Sequence, residues 1–461
     1  MTDEDGTQFV EEVASTARGT VLEPGDRGYD EARRVWNARV DREPAAVLQC
    51  TSTADVVAGV NAAREHGVRV SAKSGGHHVS GSAICEGGLL LDLAAMDDVT
   101  VDAGTRTATV GPGATWGDVD RETQAFGLAV PGGQDPNIGV AGLTLGGGVG
   151  WLSRKHGLTC DNLLAAEVVT ADGDVVGASE RRHEDLFWAL RGGGGGFGVV
   201  TGFEFRLHEV ATVFAGSLIY PLSAAPELAR RYASFTDGMP REARLLFGLM
   251  ELPAAPYYPE SVHETRVAML IACYAGSTAT ARRVFEPLRS FGDPVADSLR
   301  ERSYVAWQGA GESRGRMRTH LRSQYLASLP DDAVEVVVDR GRAAPSAGGT
   351  VFVSPRGGAE TEPSRDETAY PHRDADHHVL VEARWTDPGA DDEHVDWVDE
   401  FHAAVRPYAT GAAPLNFLAD DEDAPRVRAG YGGNYDRLRA VKADWDPDGL
   451  FAGNPVFDAV E

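Results

Sequence analysis

Glycine is not spread evenly along this 461-residue chain. Three runs crowd together: Ser74–Gly81 (SGGHHVSG), Gly139–Gly150 (GVAGLTLGGGVG) and Arg191–Gly198 (RGGGGGFG). Glycine lets backbone pass close to a ligand and lets N–H groups converge on phosphate oxygens. One such run is an ordinary tight turn. Three of them in one region point to a large phosphate-bearing ligand. The dinucleotide fingerprint is met by Gly193, Gly195 and Gly198, but it needs a strand before it and a helix after it. Here the helical ERRHEDLFWAL precedes and the strand-like VVTGFEFRL follows. No GKS or GKT exists for a phosphate-binding Walker loop. Another fold must hold the ligand.

Charge narrows the partners. Forty-three basic against 70 acidic residues give −27, and such a surface repels nucleic-acid backbones. The only lysines are Lys73, Lys155 and Lys442, and acidic excess with few lysines suggests adaptation to high salt. No stretch reaches the roughly 18 apolar residues of a membrane span, and the acidic N-terminus lacks a signal-peptide pattern. A cytoplasmic protein is expected. Cys50, Cys85, Cys160 and Cys273 show no CxxC, so neither a metal site nor a disulfide framework is indicated.

The chain is too long for one ordinary core. Residues 1–210 read as an α+β or α/β unit. They hold a strand near Val47, a helix begun by Thr51-Ser52-Thr53 and ended by Gly67, and strands at Leu89–Leu93 and Thr107–Val110. A further helix is capped by Thr115 and stopped by Gly127. From 211 to 410 the glycine runs vanish. Candidate strands Leu245–Met250, Val267–Cys273, Val334–Asp339 and His378–Trp385 alternate with helices Ala279–Phe291 and Glu393–Val405. That pattern predicts an antiparallel sheet covered by helices, suited to binding a substrate. Residues 355–376, rich in Gly, Pro and charge, read as an exposed excursion. Residues 411–461 carry a last helix with Leu438, Val441 and Trp445 on one face.

Several runs together carry a resemblance. KSGGHHVSG (73–81), GLLLDLAAMDDV (88–99) and VGPGATWGDV (110–119) resemble the FAD-binding domain of vanillyl-alcohol oxidase-type flavoproteins. GVAGLTLGGGVGWLSRKHGLTCDNL (139–163), DLFWALRGGGGGFGVVTGFEFRL (185–207) and NYDRLRAVKADWDPDGLF (434–451) resemble the berberine bridge enzyme-like subgroup, particularly its bacterial and archaeal members. TAYPHRDADHHVLVEARWTDP (368–388) is similar to that subgroup's substrate domain. The resemblance runs from about residue 35 to 457. It implies an α+β fold: a two-part FAD-binding domain over 1–210, a substrate domain over 211–410, and a segment 411–461 returning to the FAD domain.

The resemblance also assigns roles. His77 stands where the family bonds a histidine ring nitrogen to the flavin 8α-methyl carbon, chemistry that needs a neutral imidazole. His78 follows directly and could compete. Lys73 replaces the usual Arg. Lys73, Ser74, Gly75, Gly76, His77, His78 and Gly81 are expected at the cofactor, with Ile138, Gly139, Gly142, Gly146, Gly147 and Gly150. Asp161, Asn162, Gly195, Gly198, Val200, Tyr435 and Asn454 complete the set. The second flavin link of many relatives comes from a Cys heading a CPTVG-like segment; here that segment is DPNIG, with Asp135 at its head. A single covalent link, through His77, is therefore implied. Cys160 reads as packing. Ile138 matches the residue that guards oxygen access, and either closes that route or merely packs.

The implied reaction is oxidation of a hydroxyl-bearing organic molecule, a sugar or secondary metabolite, with hydride passing to flavin N5 and then to oxygen or another acceptor. Oxidative cyclisation, amine oxidation and a catalytically silent flavin binder are the alternatives. Relatives often use a Tyr in a YxNY or YVNF segment as base. Here PLNF puts Pro414 and Phe417 in those places, and neither accepts a proton. Substitute candidates are Tyr370, His372, Tyr325 and Glu382.

Overall fold

The computed structural model describes residues 3–256, 258–311, 315–345 and 348–454. The fold is α+β, built on three main sheets. The first has four strands in the order Thr20–Leu22, Ala46–Gln49, Leu89–Asp92, Val70–Lys73, the last three parallel. Val47, Leu48 and Leu89–Leu91 are all fully buried, because this sheet is covered on both faces. Phe9, Val13, Val56 and Val60 from the helices Asp3–Thr16 and Thr53–Glu65 pack on one side. Tyr29, Val35 and Ile84 close the other.

The second sheet is antiparallel, in the order Val99–Asp102, Thr107–Val110, Val199–Arg206, Leu163–Val169, Val175–Ser179. Helix Trp116–Gln124 starts on a capping box in which the Thr115 hydroxyl and the Asp118 carboxylate each bond the other residue's backbone N–H. The C-terminal helix Tyr435–Trp445 buries Leu438 and Val441 in this same core, beside helix Glu184–Leu190. Its Lys442 Nζ donates to the Gly196 carbonyl at 2.6 Å, tying the third glycine run to the chain's end.

The third sheet has eight antiparallel strands; its central order is Thr212–Pro221, Thr265–Tyr274, Ala243–Leu252, Thr350–Pro355, His377–Trp385, Arg318–Leu326. Helices Ala225–Thr236, Thr278–Arg289, Asp331–Arg342 and Asp391–Val405 cover one face. The strand His377–Trp385 alternates: Val379, Val381 and Ala383 go into that core, and His378, Leu380, Glu382 and Arg384 face away from it.

Two expectations are corrected here. Val334–Asp339 is not a strand but the middle of helix Asp331–Arg342. Its β-branched run costs under about 0.7 kcal/mol per residue in a helix. Ala333, Val334, Val337, Val338 and Gly341 fall on one buried face at helical spacing, and each buried valine returns about 1.5–3 kcal/mol. Residues 355–376 are an exposed excursion only over 362–367; the flanks are mostly buried. Arg356, Glu360, Thr368, Ala369, Tyr370 and Arg373 are all buried. The charges in that segment are paired: Glu360 with Arg244 at 2.7 Å and Arg356 at 3.1 Å, and Arg373 with Asp161 at 2.6 Å. Composition alone does not reveal such pairing.

Candidate active site

A cavity of about 290 Å³ runs between the first two sheets, walled by all three glycine runs, by Leu415–Leu418 and by Phe451–Asn454. Gly75 and Gly139 bring two runs into backbone contact. A Cβ on Gly139 would lie 2.4 Å from Gly75 N and 2.4 Å from Ser74 Oγ. Gly142 and Gly195 differ, since a Cβ on either meets nothing within 4 Å and would enter the cavity. Ser74 Oγ is buried with no hydrogen-bond partner. Val70, Ala72, Leu93, Val200 and Phe451 supply apolar wall. Open glycine backbone, an unsatisfied hydroxyl and apolar flanks suit a dinucleotide that needs both phosphate and ring contacts. Asn454 ties the far wall, its Nδ2 donating to Gly195 O at 2.7 Å and its Oδ1 accepting from Tyr431 Oη at 2.8 Å.

The two adjacent histidines are in different chemical situations. His78 Nε2 donates to the Leu415 carbonyl at 2.9 Å, and a carbonyl can only accept, so Nε2 carries the proton. Its Nδ1 then accepts from the Ser80 hydroxyl at 2.7 Å. Both nitrogens are committed. His77 has no hydrogen bond among the described residues; its ring stacks on Trp36, centroids 5.8 Å apart. Burial lowers the His77 pKa, with Asp135 opposing and Arg384 reinforcing, so the neutral, nucleophilic form prevails.

The outward row of strand His377–Trp385 reaches the neighbourhood of His77 through Trp36 and Phe417. The Arg384 guanidinium lies 5.0 Å from the Trp36 ring centre, and Glu382 Oε1 is 3.7 Å from Arg384 Nε. Glu382 Oε1 has no hydrogen-bond partner, and burial raises its pKa against the pull of Arg384. His378 stacks on Phe417, and Leu380 packs with Val79 and Leu321. Asn416 Nδ2 donates to the Gly142 and Leu143 carbonyls at 3.2 and 3.3 Å, holding the PLNF segment on the glycine run.

Ser74, Gly75, Gly76, His77, His78, Ile138, Gly139, Gly142, Gly146, Gly195, Gly198, Val200 and Asn454 line the cavity. Lys73, Gly81, Gly147, Gly150, Asp161, Asn162 and Tyr435 do not. The Lys73 ammonium bonds the Ala32 carbonyl and pairs with Asp92 at 3.4 Å, bracing the loop from behind. Gly81 packs on Val40, Gly147 on the Tyr370 ring, and Gly150 on the Gly132 backbone. Asp161 is taken by Arg373, and Asn162 Oδ1 accepts from His208 Nε2 at 2.7 Å. Tyr435 packs on Tyr431, which takes its expected place on the wall.

None of the four candidate bases lines the cavity, and Glu382 is linked to His77 through Arg384 and Trp36. Tyr325 and Tyr370 bond each other hydroxyl to hydroxyl in a buried cluster with Leu158, Cys160 and Ala375. His372 Nε2 bonds the Gly430 carbonyl at 2.8 Å, and burial drops its pKa to about 4. All three are off the cavity wall because their polar atoms are spent inside the protein. Trp36 and Arg384 were not anticipated. The alternation of strand His377–Trp385 puts Arg384 on the same face as Glu382; no motif marks Trp36.

Residues 44–179 match the FAD binding domain family, and residues 415–455 match the berberine and berberine-like family. (R)-6-hydroxynicotine oxidase of Paenarthrobacter nicotinovorans is 32% identical over 96% of this chain and 97% of its own. The chain belongs to the FAD-linked oxidoreductases of the berberine bridge enzyme-like family. It is an FAD-dependent enzyme, an oxidase or dehydrogenase of the vanillyl-alcohol oxidase fold. Glucooligosaccharide oxidase of Sarocladium strictum is 28% identical over 94% of this chain and 91% of its own. The crystal structure of 6-hydroxy-D-nicotine oxidase from Arthrobacter nicotinovorans superposes with a TM-score of 0.85 at 30% identity, covering 95% of this chain and 97% of that one. Glucooligosaccharide oxidase from Acremonium strictum, described with a 6-S-cysteinyl, 8α-N1-histidyl FAD, gives 0.85 at 26% identity, covering 97% and 98%. Among the described residues no helix is long and apolar enough to cross a membrane, and no group of three or more His, Cys, Asp or Glu side chains could hold a metal.

Proposed function

We propose that this enzyme oxidises a hydroxyl-bearing small organic molecule on a flavin joined to the chain by His77 alone. The observation that carries the reading is a histidine on the cavity wall with both ring nitrogens uncommitted, stacked on Trp36, which in turn lies under Arg384, the ion-pair partner of Glu382. A histidyl-linked FAD in a structural neighbour supports the link. Cys160 is buried among Leu158, Tyr325 and Tyr370, and burial raises its thiol pKa, which supports a single attachment. Held in the cavity, the flavin supplies an acceptor for two electrons at N5.

The chain's own residues supply the rest. Glu382 takes the proton from the substrate hydroxyl, replacing the tyrosine that Pro414 and Phe417 rule out. Burial raises its pKa towards the range of a useful general base, and the Arg384 charge opposes that rise. Trp36, Phe417 and Leu380 form the apolar sides that exclude water. Oxidation of an amine is the second reading, favoured by the name of the 32%-identical relative and by Glu382 Oε1, which has no hydrogen-bond donor and could accept one from a substrate amine. Ile138, on the cavity wall, narrows the approach of oxygen, so a quinone or dye serves better. A panel of sugars, alcohols and amines with a dye acceptor tests the reading. Alcohol oxidation should fall about 10²–10⁴-fold in Glu382→Gln, the usual weight of a general base. Undiminished turnover in that variant would remove Glu382 from the chemistry. Fast oxygen consumption in the unmodified enzyme, not raised in Ile138→Val, would leave Ile138 a packing residue.

A further inference from the structure

A second cavity, of about 550 Å³, opens where the strand ends Leu163, Ser179 and Arg206 meet the segment Ala359–Thr368, and it shares no wall residue with the flavin cavity. Its chemistry is out of character for a chain of net charge −27. Lys155, Arg181, Arg191, Arg206 and Arg241 line it, with His156 and His208. Lys73 and Lys442 are both buried and paired inside the protein. Lys155 alone of the three lysines has no partner among the described residues.

The acids on the wall neutralise this group only in part. Asp161 is bound to Arg373, Glu362 is paired with Arg241 at 2.9 Å, and Glu367 accepts from Ser364 N. Glu180 is left unpaired against Lys155, Arg181 and Arg206. Arg191 is spent on the Glu367 carbonyl and the Phe187 ring. His156 and His208 stack face to face, centroids 3.9 Å apart, and His156 Nε2 is buried without a partner. Burial first, and then the neighbouring charges, lower the imidazoles to about 3 and about 4: His208, Lys155 and Arg241 act on His156, and Arg206 and Lys155 on His208. Lys155, Arg181 and Arg206 therefore outnumber Glu180, the one wall carboxylate without an ion-pair or hydrogen-bond partner among the described residues. Beside it Leu164, Ala359 and Pro363 give an apolar wall.

We propose that this cavity binds a phosphoryl dianion, held by Lys155 and Arg206 above the stacked histidines. A free phosphate and a small phosphate ester share that chemistry. The apolar wall suits the organic part of an ester.

The test is calorimetric titration of the flavin-loaded enzyme at fixed ionic strength, with chloride as the balancing anion. Inorganic phosphate and glucose 6-phosphate are the probes. Saturable binding at one site per chain is expected. Lys155→Gln and Arg206→Gln should each weaken it at least tenfold, with flavin content and turnover unchanged. Tighter binding of the ester would assign the site to an organic phosphate, and equal binding to phosphate itself. No saturable binding of either probe, or both variants binding like the unmodified enzyme, would overturn the proposal. Neither side chain has a hydrogen bond or ion pair among the described residues, so the variants remain testable.

Discussion

Two glycines three residues apart should respond to substitution with opposite signs in stability and the same sign in flavin binding. Gly139→Ala places a methyl 2.4 Å from Gly75 N and 2.4 Å from Ser74 Oγ. Ordinary contact for such a pair is about 3.4 Å or more, so the two loops must part by about 1 Å, at a cost of about 1–3 kcal/mol for overpacking. Gly142 lies inside helix Val140–Leu145 with open space at its Cβ. Gly142→Leu therefore gains about 0.5–1 kcal/mol of helix propensity in the empty protein. Its side chain then occupies the cavity. With enzyme prepared from riboflavin-starved cells, Gly139→Ala should melt lower than the unmodified protein and Gly142→Leu at the same temperature or higher. Both should reconstitute poorly with FAD, read as flavin absorbance per protein. If Gly142→Leu takes up FAD as the unmodified chain does, the flavin does not lie against this helix and the cavity assignment fails.

Three further outcomes follow from the same geometry. His78→Ala removes the donor to the buried Leu415 carbonyl, so denaturant unfolding should show about 1–3 kcal/mol lost while the flavin stays attached. The buried imidazoles of His156, His208, His372, His378 and His402 have pKa values of about 3 to 4, below the unfolded value near 6.5. The unfolded chain then binds more protons, so the stability they contribute is complete above about pH 6.5 and falls as pH drops towards 4, by at most about 1.4 kcal/mol per pH unit for each; a flat melting temperature across that window would contradict it. A net charge of −27 should make the fold more stable in molar salt than at about 0.01 M, where the screening length reaches about 30 Å; equal melting temperatures would reject salt adaptation.

Local rules made part of this fold legible. Helix Trp116–Gln124 is announced by Thr115 and Asp118 and ended by Gly127, whose φ is +67°, and strand Thr107–Val110 alternates as a strand of an antiparallel sheet with one buried face should. Helix Asp331–Arg342 was hidden because three consecutive valines look like a strand until their buried spacing is known. The site divides the same way. The glycine runs declare a cavity, since no structural role needs so many open backbones. The sequence cannot say which glycine faces the ligand: Gly142 opens on the cavity, whereas Gly147 opens on Tyr370. Nor can it show that Tyr325 is consumed by Tyr370, from 45 residues away. His77 and His78 are equal as letters. The Leu415 carbonyl, 337 residues from His78, separates them.

The central claim is that FAD occupies this cavity and is bonded to His77. Proteolysis of the enzyme as isolated, followed by mass spectrometry with fragmentation between residues 77 and 78, addresses it directly. The account predicts one flavin adduct, on His77, and unmodified peptides for His78 and Cys160. Release of all the flavin on acid precipitation, or an adduct on His78 or Cys160, would contradict it.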